Sequence, residues 1–245
     1  MPNTKSISFD GVDECVYITD VNQTGLDGMT DLSIEFWINF HVKPSVAGRQ
    51  YPLTKWAGGA ETASYCVDFN PGAEGNDKMR IQITDGVNYT RGTTDSDVIL
   101  SIDTWYHIAF TYDGSAKELK IYVNGSPVAF TYSNHAATDI EDSSADFSIG
   151  GQREGGSLIY QINGKMDEVR VWDLVRSEAQ ISANYQVELT GSEDGLVGYW
   201  KFNDSLLDET ADNNDLTATG SLSYSTDVPF SGAPPAAAHR FFQMF

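Results

Sequence analysis

The sequence predicts an all-β protein, an antiparallel β-sandwich with one short helix. Three observations carry this expectation. Apolar and polar residues alternate with period two along most of the chain, as strands with one buried face require. Turn dipeptides punctuate the alternating runs at Asp10-Gly11, Asp27-Gly28, Asp85-Gly86, Asp113-Gly114, Asn124-Gly125 and Asn163-Gly164. The helical crossovers of a dozen residues that parallel strands need are missing between them.

Taken in chain order, the first alternating run is 6–9. The clearest follows at 32–40, where Leu32, Ile34, Phe36, Ile38 and Phe40 share one face and Ser33, Glu35, Trp37 and Asn39 the other. Further strands are expected at 65–69, 79–83, 106–112, 119–123, 147–149, 169–171 and 196–202. Asn124-Gly125 suits a tight hairpin turn needing positive φ, while Trp105 and Trp172 are expected to fill the space between the sheets. His107 sits within a strand beside Tyr106 and Ile108, so it reads as a packed or hydrogen-bonded histidine rather than a catalytic base. The helix is expected from Ser177, whose hydroxyl can accept from an exposed amide while Glu178 favours the positive helix end; it runs through Ala179, Ile181 and Tyr185 to cover a sandwich edge or end.

A chain of 245 residues, 40% hydrophobic and 12% aromatic, can bury one substantial core, and residues 1–230 are read as one domain. The segment 231–245 changes composition to a Pro-Ala linker followed by Phe241, Phe242, Met244 and Phe245, either a last strand or an apolar anchor for a neighbouring subunit. Fifteen basic residues against thirty-five acidic ones give a net charge of -20. That field repels phosphate backbones and anionic bilayers, so neither nucleic acid nor membrane insertion is expected. No apolar run approaches the length of a bilayer span, and the first residues lack the apolar core of a secretory signal. The chain is thus expected to be either a piece of a larger protein or a product that reaches an exposed surface by assembly. Cys15 and Cys66 allow one disulfide or two buried thiols.

Several segments resemble laminin-G-like, concanavalin A-like domains of bacterial and phage type. SISFDGVDECV at 6–16 is similar to the family's opening strand, LSIEFWI at 32–38 to its second core strand, and WYHIAFTYDGSAKELKIYVNG at 105–125 to its hairpin. GKMDEVRVWD at 164–173 resembles the closing strand, followed by the helix containing SEAQI and by GLVGYWKFNDSLLDETADNND. The resemblance covers most of residues 1–230 in family order and implies a jelly-roll sandwich. It also implies a structural calcium ion between the first turn and the closing strand, its candidate ligands being Asp10, Gly11, Asp13 and Asp167. The alternative reading has Asp10 capping a turn and Asp167 facing solvent. The acidic loops around Asp139–Asp146 and Asp208–Asp215 lack EF-hand spacing. Pentraxins, which share the sandwich, bind ligands through an acidic segment after a glycine turn; here GQREGG retains only Glu154.

Catalysis is not expected. Sandwich polysaccharide hydrolases place carboxylates at alternating positions of one strand, near ExDxxE, and no segment has that pattern. Asp167 and Glu168 are adjacent and are expected on opposite faces. GxSxG, HExxH and phosphate-loop motifs are absent. Sugar contacts are expected from Trp56, Tyr89, Tyr132 and Tyr160, with Arg49, Asn88 and Arg153 as hydrogen-bond donors to hydroxyls. Two functions follow as expectations. One is a surface adhesion module for a glycan or cell-surface glycoprotein. The other is a virion decoration, fibre or tail component whose C-terminus docks on capsid or tail subunits. Either places the domain at an extracellular or virion surface.

Overall fold

The computed structural model describes residues 3–58, 63–72 and 75–230. The proposed anchor Phe241, Phe242 and Phe245 lies outside the described residues. The first part of the chain supplies β1 (Ser6–Asp10), β2 (Cys15–Ile18), β3 (Asp31–Phe40), β4 (Gln50–Trp56) and β5 (Ala63–Phe69), with a short helix α1 (Pro44–Ala47). Next come β6 (Met79–Thr84), β7 (Tyr89–Thr94), β8 (Trp105–Asp113), β9 (Glu118–Val123), β10 (Ser126–Pro127) and β11 (Phe130–His135). The last part adds β12 (Phe147–Ile149), β13 (Gln152–Glu154), β14 (Ser157–Ile159), β15 (Asn163–Trp172), helix α2 (Glu178–Asn184), β16 (Leu196–Trp200), β17 (Thr217–Thr219) and β18 (Ser223–Ser225).

Two antiparallel sheets form the sandwich. One runs β10-β9-β8-β3-β15-β1-β18, with β16 also paired to β15; the other runs β11-β7-β6-β5-β4-β12-β2-β17. Inward residues of both, among them Phe36, Phe40, Val67, Phe69, Ile81 and Ile108, make one continuous core. The alternation of β3 behaves as expected: Ile34, Phe36, Ile38 and Phe40 pack inward while Ser33, Glu35, Trp37 and Asn39 face the other side. That outer side is itself buried, because α2 and the chain around it lie on top. Trp37 donates from Nε1 to the Tyr185 carbonyl at 2.8 Å, and Ile181 packs on Ala109 and Tyr122. The helix begins at Ser177, whose hydroxyl accepts from Gln180 N in a capping box, and it covers the outer face of the first sheet on the side of its edge strand β10.

Trp105 and Trp172 are not between the sheets. Trp105 pairs with Asn39 and Trp172 with Ser33, so register places both on the outer face; Trp172 packs with Leu189, Leu196 and Tyr199. Trp200, stacked on Phe147 at 5.2 Å, fills the inter-sheet space instead. Asn124 (φ 50°) and Gly125 (φ 75°) make the expected tight turn between β9 and β10. Cys15 and Cys66 are both buried free thiols. Among the described residues no helix is long and apolar enough to cross a membrane.

Candidate functional site

The outer face of the second sheet carries the polar half of the strand alternation. One register row crosses it through Tyr17, Ser148, Thr54, Cys66, Gln82 and Arg91, each paired with the next. Their sequence neighbours Val16, Leu53, Val67, Ile81 and Ile83 point the other way into the core. A second row sets Asp68 opposite Arg80. Tyr51 has the parity of the inward Leu53, but a register shift between Gln50 and Leu53 turns it outward, beside Trp56 and Cys66.

These residues line a pocket of about 300 Å³ whose walls are Arg49, Tyr51, Trp56, Arg80, Gln82 and Arg91. Two aromatic pairs support it. Trp56 lies 5.9 Å from Tyr89, and Tyr51 lies 5.1 Å from Tyr160. The guanidinium groups rest on the same rings: Arg91 is 4.3 Å from the Tyr89 centroid, and Arg49 is 5.3 and 5.7 Å from those of Tyr51 and Tyr160. Beneath them Asp68, fully buried, accepts from Arg80 at 2.6 Å and pairs with Arg49 at 3.0 Å through the same oxygen, Oδ2.

Burial raises the Asp68 carboxyl to about 7 against the opposing pull of Arg49. Burial likewise raises the Tyr51 hydroxyl and holds the Cys66 thiol well above its ordinary value, so both stay protonated near neutrality. Burial pulls the Arg49 guanidinium down, but Asp68 together with Tyr51, Cys66 and Tyr160 outweighs it and raises its pKa. Among the described residues, Nε of Arg49, Arg80 and Arg91 is buried without a hydrogen-bond partner. Such an arrangement can take a polar ligand through planar guanidinium donors, without a covalent step.

Of the sequence-predicted sugar contacts, the structure brings Trp56, Tyr89, Tyr160 and Arg49 together at this pocket. Glu154, on the β13–β14 hairpin, extends its carboxylate over Gly58, two residues beyond Trp56. Tyr132 belongs elsewhere: it pairs with Gly92, next to Arg91, and therefore faces the opposite side of the sheet, where its hydroxyl accepts from Leu119 N at 3.0 Å. Asn88 closes a turn on Asp85, and Arg153 lies 3.6 Å over the Tyr17 ring while paired with Asp146. Sequence reasoning missed Tyr51, Asp68, Arg80, Gln82 and Arg91. The available signal was the polar half of β6, where Arg80 and Gln82 alternate with Met79, Ile81 and Ile83.

The residues put forward for calcium do not form one donor set. Asp10 pairs with Asn163 at one end of β15, and Asp167 lies four residues further along, about 13 Å by strand rise. Asp10 Oδ1 accepts from Val12 N across the turn at Gly11, and Asp13 is exposed beside it. Asp167 does not face solvent: it is fully buried, accepting from Asn3 Nδ2 at 2.7 Å and from Glu168 N at 2.9 Å. Among the described residues, no three acids, histidines or cysteines are grouped for a metal.

Asp167 and Glu168 also depart from expectation by sharing a face. The register passes from Asp167 opposite Trp37 to Arg170 opposite Glu35, so two residues face one, and Glu168 takes φ 51°. This bulge swings Glu168 outward, where Arg170 (2.7 Å) and Tyr199 (2.6 Å) donate to its Oε2. Both acids are sealed under the covering layer, at 0% and 1% exposure, with no cleft between them. His107 is in the same layer, 3.5 Å from Glu35 and edge-on to Trp37; burial keeps its pKa low and the ring neutral. A larger cleft of about 400 Å³ opens near Thr4, Glu188, Phe202 and Leu207, but its one aromatic, Phe202, is 1% exposed and offers no ring face.

Residues 10–182 match the laminin G family model described as the concanavalin A-like lectin/glucanases superfamily, and the chain belongs to that family. No curated protein matches the sequence. Among solved structures, the fold is similar to that of a Bacteroides ovatus protein assigned to carbohydrate binding, with 20% identity, TM-score 0.68 and coverage of 96% of this chain. The chain spans 63% of the length of that protein. It is similar also to the heptameric SAP-like pentraxin of Limulus polyphemus, with 15% identity, TM-score 0.62 and coverage of 91% of this chain and 94% of that one. The CBM40 of the Ruminococcus gnavus IT-sialidase, solved with α2,3-sialyllactose, aligns at 13% identity and TM-score 0.52 over 75% of this chain and 98% of that one. At these identities the likeness is one of fold.

Proposed function

We propose that the protein is a non-catalytic carbohydrate-binding module that takes a saccharide in the pocket on the outer face of the second sheet. The observation carrying this reading is the convergence of Tyr51 and Trp56 with Arg49, Arg80, Arg91 and Gln82 in one concavity on a rigid sheet. Sugars carry a rim of hydroxyls, so a concavity lined mainly by fixed guanidinium and amide donors, bordered by the largely buried Tyr51 and Trp56, suits them. Solved relatives of this fold include a carbohydrate-binding assignment and a sialidase module holding a sugar, which agrees with the reading.

The non-catalytic part rests on the acids. Glycoside hydrolysis needs two carboxyl groups facing one bond at roughly 5–9 Å, and no carboxylate lines the described pocket. Asp68 lies below it, tied to two arginines. Surface display of such a module would serve adhesion to glycans or glycoproteins. Docking to capsid or tail subunits would depend on residues 231–245, and the pocket lends it no support.

A glycan array followed by calorimetry tests the proposal. Wild-type protein is expected to bind at least one oligosaccharide without cleaving it, and Trp56→Ala is expected to weaken binding while circular dichroism stays unchanged. Failure to bind any arrayed glycan, or binding indifferent to Trp56→Ala and Arg91→Gln alike, would refute the assignment.

A further inference from the structure

We infer that the sugar this pocket takes carries a carboxylate, so that the ligand class is an acidic saccharide containing a uronic or sialic type residue. The inference rests on the reading of the pocket as a saccharide site and narrows it.

The chain has seven arginines and a net charge of -20, yet three of those arginines wall one pocket of about 300 Å³. A hydroxyl-only ligand does not call for this concentration of charge. Asp68 is the one described carboxylate paired with these groups, and it engages Arg49 and Arg80 through a single oxygen. Arg91 makes no ion pair within 4.0 Å among the described residues; it stacks 4.3 Å from the Tyr89 ring centroid, and its charge acts on Asp68 from a longer distance. Among the described residues three guanidinium groups thus stand over one acid, and no Nε of the three has a hydrogen-bond partner. Partly desolvated positive charge left over in this way is costly unless a ligand supplies the counter-charge.

The geometry selects a carboxylate. A guanidinium presents parallel N–H donors whose spacing matches the two oxygens of a carboxylate, and stacking on Tyr51, Tyr160 and Tyr89 holds Arg49 and Arg91 in place before any ligand arrives. The hold on Asp68 already demonstrates that two of these arginines accommodate a carboxylate together. Pocket size argues for one compact acidic group, and the acidic remainder of the molecule repels long polyanions such as heavily sulfated chains. A neutral sugar would leave the excess charge unanswered, which is a source of discrimination in itself.

Calorimetry with matched probes tests this. Sialyllactose is compared with lactose, and oligogalacturonate with its methyl ester, for wild type, Arg91→Gln, Arg91→Lys and Trp56→Ala. The expected result is a preference for the acidic member of a pair by about tenfold or more, the range of a charged hydrogen bond. The preference shrinks with added salt, is lost in Arg91→Gln and is partly kept in Arg91→Lys. Equal binding of acidic and neutral members, both weakened by Trp56→Ala, overturns the acidic class while leaving a saccharide site. Preference for a sulfated over a carboxylated oligosaccharide also overturns it. No binding by either probe pair or by an array of acidic and neutral glycans overturns both.

Discussion

Arg49 and Arg80 reach the same carboxylate oxygen of Asp68, at 3.0 and 2.6 Å, so one fully buried acid positions two basic walls of the pocket. Neither arginine can leave the site without exposing that acid, and Asp68 cannot be removed without stranding both. Preorganisation of the pocket therefore comes from below, from the β5–β6 ladder that sets Asp68 opposite Arg80.

Replacing Asp68 with Ala is expected to cost about 3 kcal/mol of folding stability, because it leaves two partly buried guanidiniums without their counter-charge. Urea denaturation checks this through a lowered midpoint. A double variant lacking both Asp68 and Arg80 is expected to be more stable than the single one.

Because burial raises Asp68 to about 7, its charge changes across the neutral range. Below that value the protonated acid leaves Arg49 and Arg80 free for a ligand; above it the ionised acid competes for them. Arg49, whose pKa is raised, holds its charge over this window, and Tyr51 and Cys66, both pushed upward by burial, stay neutral. Affinity for an acidic sugar is therefore expected to fall by up to about tenfold between pH 6 and pH 8, the bound set by one proton of linkage. In Asp68→Asn the profile is expected to be flat.

The Asp167–Glu168 pair gives a stability signature. Burial first, and the neighbouring Glu168 charge second, raise Asp167 well above the ordinary carboxylate range; burial also raises Glu168. A folded state that holds protons more tightly than the unfolded chain loses stability as pH rises from the unfolded value near 4 towards the folded one. Denaturation midpoints are expected to decline over that window in the wild type and less steeply in Asp167→Asn, whose amide keeps an acceptor for Glu168 N.

Cys15 and Cys66 are buried free thiols whose pKa values burial raises. Neither is expected to react with a thiol reagent until denaturant is added, when both react. Intact mass is expected to be unchanged by reductant, since no disulfide is present to open.

Much of the fold was legible because β3, β6, β8 and β9 obey strict alternation, and the capping residues of α2 are local. The strands that carry the pocket were the illegible ones. β4 contains Pro52 and register shifts on both sides of Leu53, so Tyr51 lands on the face its parity denies. β7 reads YTRGTT, with little apolar content, and needs Gly92 because Leu119 and Phe130 press against that position. Arg80 and Arg91 come from different strands, and only pairing across β6 and β7 brings them to one wall. The bulge at Glu168 likewise defeated the simple two-face rule.

The most direct test of the saccharide site is an NMR titration that follows the Nε–Hε signals of the arginines as an acidic oligosaccharide is added. Saturable shifts are predicted at Arg49, Arg80 and Arg91, which wall the pocket, while Arg170 and Arg176, whose Nε groups also lack hydrogen-bond partners but which are sealed under the α2 layer, stay fixed. Saturable binding that leaves those three signals unmoved and instead perturbs residues around the Phe202 cleft would contradict the account.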